Sequence, residues 1–328
     1  MLPEIIYNVT VYCDRKSKYQ CSLVSRRWNA NIKWRKDERN CAFQWASQHG
    51  YHGVVDRLLL DKHVDPSASD NDAIRRASKS GHLGVVDRLL SGVGPSANDN
   101  YAIRWASLHG HLGVVTRLLS DARVDPSADD NQAIRWASLH GHLGVVDRLL
   151  LDERVDPSAC ANGAITSASA CGYLGVVDRL LSDERVDPSA NDNQAIRWAS
   201  QYGHLGVVDR LLSDVRVDPS ASNNTAICWA SACGHLGVVD RLLEHRVDPS
   251  GFDNCAIRWA SEHGHLGVVE RLLLDERVDP SASENAALRW ASVYGHLGVV
   301  ERLLSDERVD PSALVSQIKR ANSSSGGW

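Results

Sequence analysis

Histidine and cysteine are the residues whose type and number first suggest chemistry in this chain: 14 His and 8 Cys among 328 residues. A zinc or nucleophilic centre needs several of them to converge. Most of the histidines stand in a Gly-His step or directly before one, as in His109-Gly110-His111. Residues two apart do not share a helix face. Equivalent side chains on neighbouring packed helices lie about 8–10 Å apart, whereas zinc holds its ligands at about 2.0–2.3 Å. Cys228 and Cys233 form a pair without matching partners, and the eight cysteines contain no C-x-x-C step and no even framework. That usage fits a reducing compartment, cytosol or nucleus. The sequence has no phosphate-cradling loop, nucleophile elbow or H-E-x-x-H pattern. The expectation is a chain with no catalytic residue, no metal and no cofactor.

What positions these residues is a repeat. Ten Trp against two Phe and one Met is the skew of a short sequence copied many times. Nine of the ten prolines recur at spacings of 29, 31, 31, 31, 31, 30, 31 and 31 residues. The best-formed unit runs from Asp130 to Ala159, and nine copies fill residues 39–313. Asn131 is placed to cap a helix with its side chain. Ala133, Ile134, Ala137 and Gly141 follow at helical spacing, and Gly141 suits the left-handed residue that closes a helix. Leu143, Val146, Leu149 and Leu150 form a second apolar stripe. Pro157 and its Asp, Ser and Asn neighbours are turn residues. Each repeat therefore reads helix, tight turn, helix, loop. Helices this short are unstable alone in water, so each repeat must bury its stripe against its neighbours. The fold class is an all-α solenoid of nine helix-turn-helix repeats of about 31 residues.

The run Ala133-Ile134-Arg135-Trp136-Ala137-Ser138-x-x-Gly141-His142-Leu143-x-Val145-Val146-x-x-Leu149-Leu150 resembles the ankyrin repeat. The likeness covers about five-sixths of the chain. The family period is 33; here it is 31. The segment between the loop Asp and the next Ile is shortened, which predicts β-hairpin fingers reduced to tight turns that bind nothing. Ala for the family Pro and Arg for its His resemble the divergent ankyrin arrays of large DNA viruses of amoebae.

The family implies a protein partner on the concave face built by the first helices. Within this array, variation collects in three columns: the residue after the Asn and the two residues after Ala-Ser. They supply the candidate target-binding residues Tyr101, Leu108, His109, Gln132, Leu139, His140, Gln194, Gln201, Tyr202, Glu262, His263 and Tyr294. Simple exposure explains their drift as well as binding does, although His, Tyr and Leu suit a protein contact. Seven Trp (45, 105, 136, 198, 229, 259, 290) share one repeat position. A base-stacking platform is the weaker account; packing between neighbouring helix pairs is the stronger. Arg75, Arg104, Arg135, Arg197, Arg258 and Arg289 form a column that reads as partners of the loop Asp. Repeat five departs at Ala161, Thr166 and Ser167, losing Asp, Arg and Trp together, which marks a bend, a weak joint or a site. Residues 1–40 hold nine Lys/Arg and four Asp/Glu, net +5, so the remainder is −5 − 5 = −10. An acidic array repels phosphate, so nucleic acid is not an expected partner.

Outside the array lie a head, 1–38, and a tail, 314–328. Leu2-Pro3-Glu4-Ile5-Ile6 and Leu23-Val24-Ser25-Arg26-Arg27-Trp28 resemble the two ends of an F-box; Cys13 and Lys18-Tyr19 depart from its middle. That resemblance implies docking on the Skp-type adaptor of a cullin–RING ubiquitin ligase, with Leu2, Pro3, Ile5, Ile6, Val9, Leu23, Val24 and Trp28 carrying the adaptor contact or the F-box core. The bland alternative is a helical cap over the first repeat. Leu314–Arg320 reads as a partial C-terminal cap, and Ser323–Gly327 as a flexible tail. Met1-Leu2-Pro3-Glu4 lacks the pattern of a secretory signal, and no apolar run reaches the roughly 20 residues of a membrane span. The expectations are a monomer in the cytoplasm (of the host, if viral) or nucleus. It bridges a target to a ligase or, in the alternative, is an ankyrin scaffold that binds a host protein without ubiquitin.

Overall fold

The computed structural model describes residues 36–312. Those residues form eighteen α-helices, with no strand among them. The residues that carry the F-box likeness (Leu2, Pro3, Ile5, Ile6, Val9, Leu23, Val24, Trp28) and the expected C-terminal cap lie outside the described residues. The first helix begins at Lys36, three residues before the boundary expected from the sequence.

The chain divides into two compact units, Met1–Asp156 and Pro157–Trp328. The first contains α1 (Lys36–Gln48), α2 (His52–Leu59), α3 (Ala68–Lys79), α4 (Leu83–Leu90), α5 (Ala97–Leu108), α6 (Leu112–Leu119), α7 (Ala128–Leu139) and α8 (Leu143–Leu150). The second contains α9 (Ala159–Ala170), α10 (Leu174–Leu181), α11 (Ala190–Gln201), α12 (Leu205–Leu212), α13 (Ala221–Ala232), α14 (Leu236–Glu244), α15 (Gly251–Glu262), α16 (Leu266–Leu273), α17 (Ala282–Val293) and α18 (Leu297–Leu304). Within each unit, odd-numbered helices stack on the next odd-numbered helix and even-numbered on the next even-numbered.

The periodicity places the core. Ala133, Ile134 and Ala137 of α7 and Val145, Val146, Leu149 and Leu150 of α8 are buried, with Val155 of the loop closing the layer. Small alanines let the stacked first helices approach closely, while each Ile and Leu contributes about 1.5–3 kcal/mol by leaving water. Gly141 closes α7 at φ 73°, and all nine equivalents lie between 73° and 78°. A second constraint acts on seven of the others: a Cβ on Gly203, for example, would sit 2.5 Å from His235 Nδ1.

From α3 on, the first turn of each odd-numbered helix holds a feature that the sequence reading missed. Asp129, Asp130 and Asn131 are all left-handed (φ 56°, 54° and 57°), and the same triplet occurs in eight repeats. One left-handed residue costs an L-amino acid roughly 1–2 kcal/mol. Asn and Asp, which tolerate this region well, fill 17 of the 24 triplet positions. The triplet is one tight turn in place of a hairpin finger, closed by the Asn131 N–H on Ser127 O at 2.8 Å. Asn131 is therefore not a side-chain helix cap: its Oδ1 accepts instead from the N–H of Asp156, 25 residues on, at 2.8 Å. The left-handed backbone turns the side chain away from its own helix and toward the repeat's closing loop.

That loop bond recurs at Asn40, Asn100, Asn162, Asn193, Asn254 and Asn285. It is absent in the two repeats whose proline spacing is short. There the buried Oδ1 atoms of Asn71 and Asn224 have no hydrogen-bond partner. The deletions pull the loop amide out of reach.

Candidate protein-binding surface

The histidines turn out to be fasteners. Nε2 of His82 bonds Gln48 O at 3.0 Å, and His111 and His142 meet Lys79 O and Leu108 O in the same way. In the second unit His204, His235, His265 and His296 bond Ala170 O, Gln201 O, Ala232 O and Glu262 O. Each ring thus staples a repeat to the last first-helix carbonyl of the repeat before it. Burial pushes His82 and His265 below the usual histidine pKa, against the raising effect of those carbonyls, with neighbouring histidines adding to the drop. Among the described residues no group of three or more His, Cys, Asp or Glu is disposed to hold a metal ion.

Arginine plays three positional roles. The column expected to pair with loop Asp mainly holds the left-handed turn: Nη2 of Arg75, Arg104, Arg135, Arg197 and Arg258 donates to the carbonyl six residues back, the first of each triplet. Acidic partners are additional, as in Arg104–Asp129 at 2.6 Å. A second column forms ion pairs between successive repeats, Arg117–Asp87 and Arg210–Asp178 at 2.5 Å among them. The third sits in the loops. Arg154 grips Asp152 with two nitrogens and donates from Nη1 to Val124 O of the preceding repeat at 2.6 Å. That guanidinium holds the Asp152 carboxyl below the usual carboxylate range. These groups are partly exposed, so each pair contributes under about 1 kcal/mol.

The seven tryptophans are half-buried. Trp105, Trp136, Trp229 and Trp290 meet side chains of a neighbouring repeat. Trp105 meets Trp136 edge-on at 5.6 Å and stacks near Tyr101 at 5.1 Å, with Lys79 Nζ 4.1 Å from its centroid. Arg197 and Arg258 lie over Trp229 and Trp290.

The variable columns flank these tryptophans, and none of the twelve candidate residues is buried. Leu108, Leu139, Gln201 and Glu262 end their helices. Three of them, Leu108, Gln201 and Glu262, lend their backbone carbonyls to the histidine staples described above, which any side chain can do. Their sequence freedom follows from that. His109, His140, Tyr202, His263 and Tyr294 stand at the helix C-termini and are exposed, Tyr202 by 53% and Tyr294 by 59%. Nδ1 of His140 and His263 bonds back to Trp136 O and Trp259 O at 3.0 and 2.9 Å. The first column is more committed: Gln132 accepts from Arg104 at 2.7 Å, Tyr101 lies under Arg75, and Gln194 accepts from Asn191 at 3.3 Å.

One cysteine pairing was invisible in the linear spacing. Cys228 is disulfide-bonded to Cys255, 27 residues away, and both are buried. Cys233, the neighbour in sequence, is free and exposed. Stacking brings α13 and α15 face to face, and that overrides proximity along the chain.

The family comparison agrees with this geometry. A model described as Ankyrin repeats (3 copies) matches residues 74–161 and 164–253, more than half of the chain. The chain belongs to the ankyrin-repeat family. No curated protein matches it. Ankyrin repeats are protein-interaction modules, and this member is built of paired helices with left-handed turns. No helix among the described residues is long and apolar enough to cross a membrane.

Proposed function

We propose that this ankyrin protein is the substrate receptor of a cullin–RING ubiquitin ligase. The array holds a target protein, and the head docks on the Skp-type adaptor. The observation that carries the adaptor half is the ordered pair of motif pieces, Leu2-Pro3-Glu4-Ile5-Ile6 and Leu23 to Trp28, placed directly ahead of the repeats. The target half rests on half-buried tryptophans with exposed neighbours within each unit: Leu139 and His140 after Trp136 in the first, and Tyr202, His263 and Tyr294 after Trp198, Trp259 and Trp290 in the second. Aromatic groups of this kind supply large contact area at low entropy cost. The chain contributes no reaction step of its own; holding target and ligase together raises their effective concentration.

The test is capture of a purified Skp-type adaptor by the full chain, by its Val24→Ala/Trp28→Ala variant and by a chain lacking residues 1–35. Capture by the full chain alone supports the receptor. Equal capture by all three moves the adaptor site out of the head. No capture by any leaves an ankyrin scaffold that binds its partner without ubiquitin.

A further inference from the structure

The seventh repeat, built on α13 and α14, has lost three fastenings that its neighbours keep. In several repeats the arginine of the first helix reaches the next: Arg104 to Asp129 and Gln132, Arg258 to Ser283, and Arg197 over Trp229; repeat five, with Thr166 at that position, has none. In repeat seven that position is Cys228. The loop-closing Asn224 has an unpaired, buried Oδ1. The Asp-x-Arg loop clamp is replaced by Glu244-His245-Arg246, where Glu244 pairs with Arg241 at 2.9 Å and His245 bonds Arg241 O. Thr225 takes over the carbonyl of Ser222 within the repeat, but that bond does not cross to repeat eight. What takes the arginine's place across the joint, beside the His265–Ala232 O bond and the Arg271–Asp240 ion pair, is Cys228–Cys255, with Cα atoms 5.6 Å apart and both residues at most 1% exposed.

We propose that this disulfide is a redox-operated staple: oxidised, it replaces the missing arginine bridge between repeats seven and eight; reduced, it leaves that joint without a bridge between its two first helices at this position. The inference is independent of the ligase reading. Closing the staple transfers two electrons from the two cysteine sulfurs to a low-molecular-weight disulfide such as glutathione disulfide. One S–S bond forms as one breaks, and the two thiol protons leave on the two released thiols. A dithiol reverses it, becoming a cyclic disulfide while its protons return to Cys228 and Cys255. Both sulfurs are shielded from water, so exchange proceeds through local opening of the joint, the step on which buried disulfides depend.

The experiment uses the full chain equilibrated with glutathione disulfide or with dithiothreitol. Alkylation under unfolding conditions and peptide mass mapping identify the bonded cysteines, and amide hydrogen exchange reads local opening. A cross-link closing a loop of this length lowers local opening on the order of 100-fold. Exchange in α13 and α15 is expected to speed up by about that factor on reduction, while α1 to α8 are unchanged. Cys228→Ala/Cys255→Ala, whose fold is checked by its unchanged exchange in α1 to α8, should sit at the reduced level in both buffers. Cys228 and Cys255 alkylated after oxidation, Cys228 bonded to Cys233 instead, or equal exchange in both buffers would each overturn the proposal.

Discussion

The loop bond made by the recurring asparagine gives a sharp internal control, because the array contains both versions. Asn193 is 6% exposed and its Oδ1 accepts the Asp218 N–H at 2.8 Å. Asn224, one repeat on, has the same left-handed backbone, φ 62° against 60°, but an unpaired Oδ1. Glycine keeps the left-handed conformation available and removes only the side chain. Asn224→Gly should therefore cost at most the unfolded-chain entropy, about 0.5–1 kcal/mol, and Asn193→Gly shares both that cost and the relief of left-handed strain. Asn193→Gly adds the loss of a hydrogen bond that orders the loop. A stranded backbone donor costs about 1–3 kcal/mol. Asp218 is itself exposed, and its freed N–H can reach water, so the lower half of that range applies. The expected difference between the two variants is about 1–2 kcal/mol, a factor of roughly 5–30 in the unfolding equilibrium. Urea unfolding followed by far-ultraviolet circular dichroism reads the midpoint shift, provided the slope is unchanged. Hydrogen exchange at the Asp218 amide checks the cause directly, since repeat arrays open locally. Equal midpoints for the two variants, or unchanged protection of Asp218 in Asn193→Gly, would refute the assignment of Asn to loop closure.

Two further outcomes follow from the same geometry. Gly203→Ala must place a Cβ at φ 76° and 2.5 Å from His235 Nδ1, whereas Gly295→Ala meets only the backbone penalty with nothing within 4 Å. The first should destabilise by about 2–5 kcal/mol and the second by about 1–2 kcal/mol, and matched thermal melts distinguish them; similar losses would remove the histidine staple from the account. For pH, His82 and His265 have folded pKa values below their unfolded value of about 6.5 because burial disfavours the charged ring. The unfolded chain then binds more protons in this window, so stability is full above about pH 6.5 and declines as pH falls through it toward the folded values. The loop carboxylates such as Asp152, whose pKa is lowered, act in a separate window below about pH 4. Melting temperature between pH 7.5 and 5 should fall in the native chain and fall less in His82→Asn/His265→Asn; an identical slope in both would exclude these two rings as the cause.

Most of the architecture was legible because it is written nine times. A period near 31, an apolar stripe at Ala133, Ile134 and Ala137, another at Val146, Leu149 and Leu150, and Gly141 between them leave one economical arrangement, paired short helices that bury their stripes on their neighbours. Gly141 itself was readable from helix-closing chemistry. The surface columns were legible only as variation. That Leu108 or Gln201 drifts freely does not reveal that its carbonyl carries an inter-repeat bond, since backbone groups leave no mark in side-chain identity.

What tertiary structure decided is who meets whom. Asn131 looked like a helix cap, because Asn before an apolar helix usually is one; three successive left-handed residues turned it onto Asp156 instead. The first arginine column looked like a set of ion pairs, but the carbonyls of those left-handed turns took most of its donors. Cys228 was paired on paper with Cys233, four residues of separation away, and in space with Cys255, because stacking puts equivalent helix faces together at one repeat's distance. Local propensity and periodicity act along the chain, so the sequence determined the helices, their apolar faces and their turns. Hydrogen-bond and sulfur partners depend on register between repeats, where a one- or two-residue deletion silences Asn71 and Asn224 without changing a single residue type, and only the folded stack fixes that register.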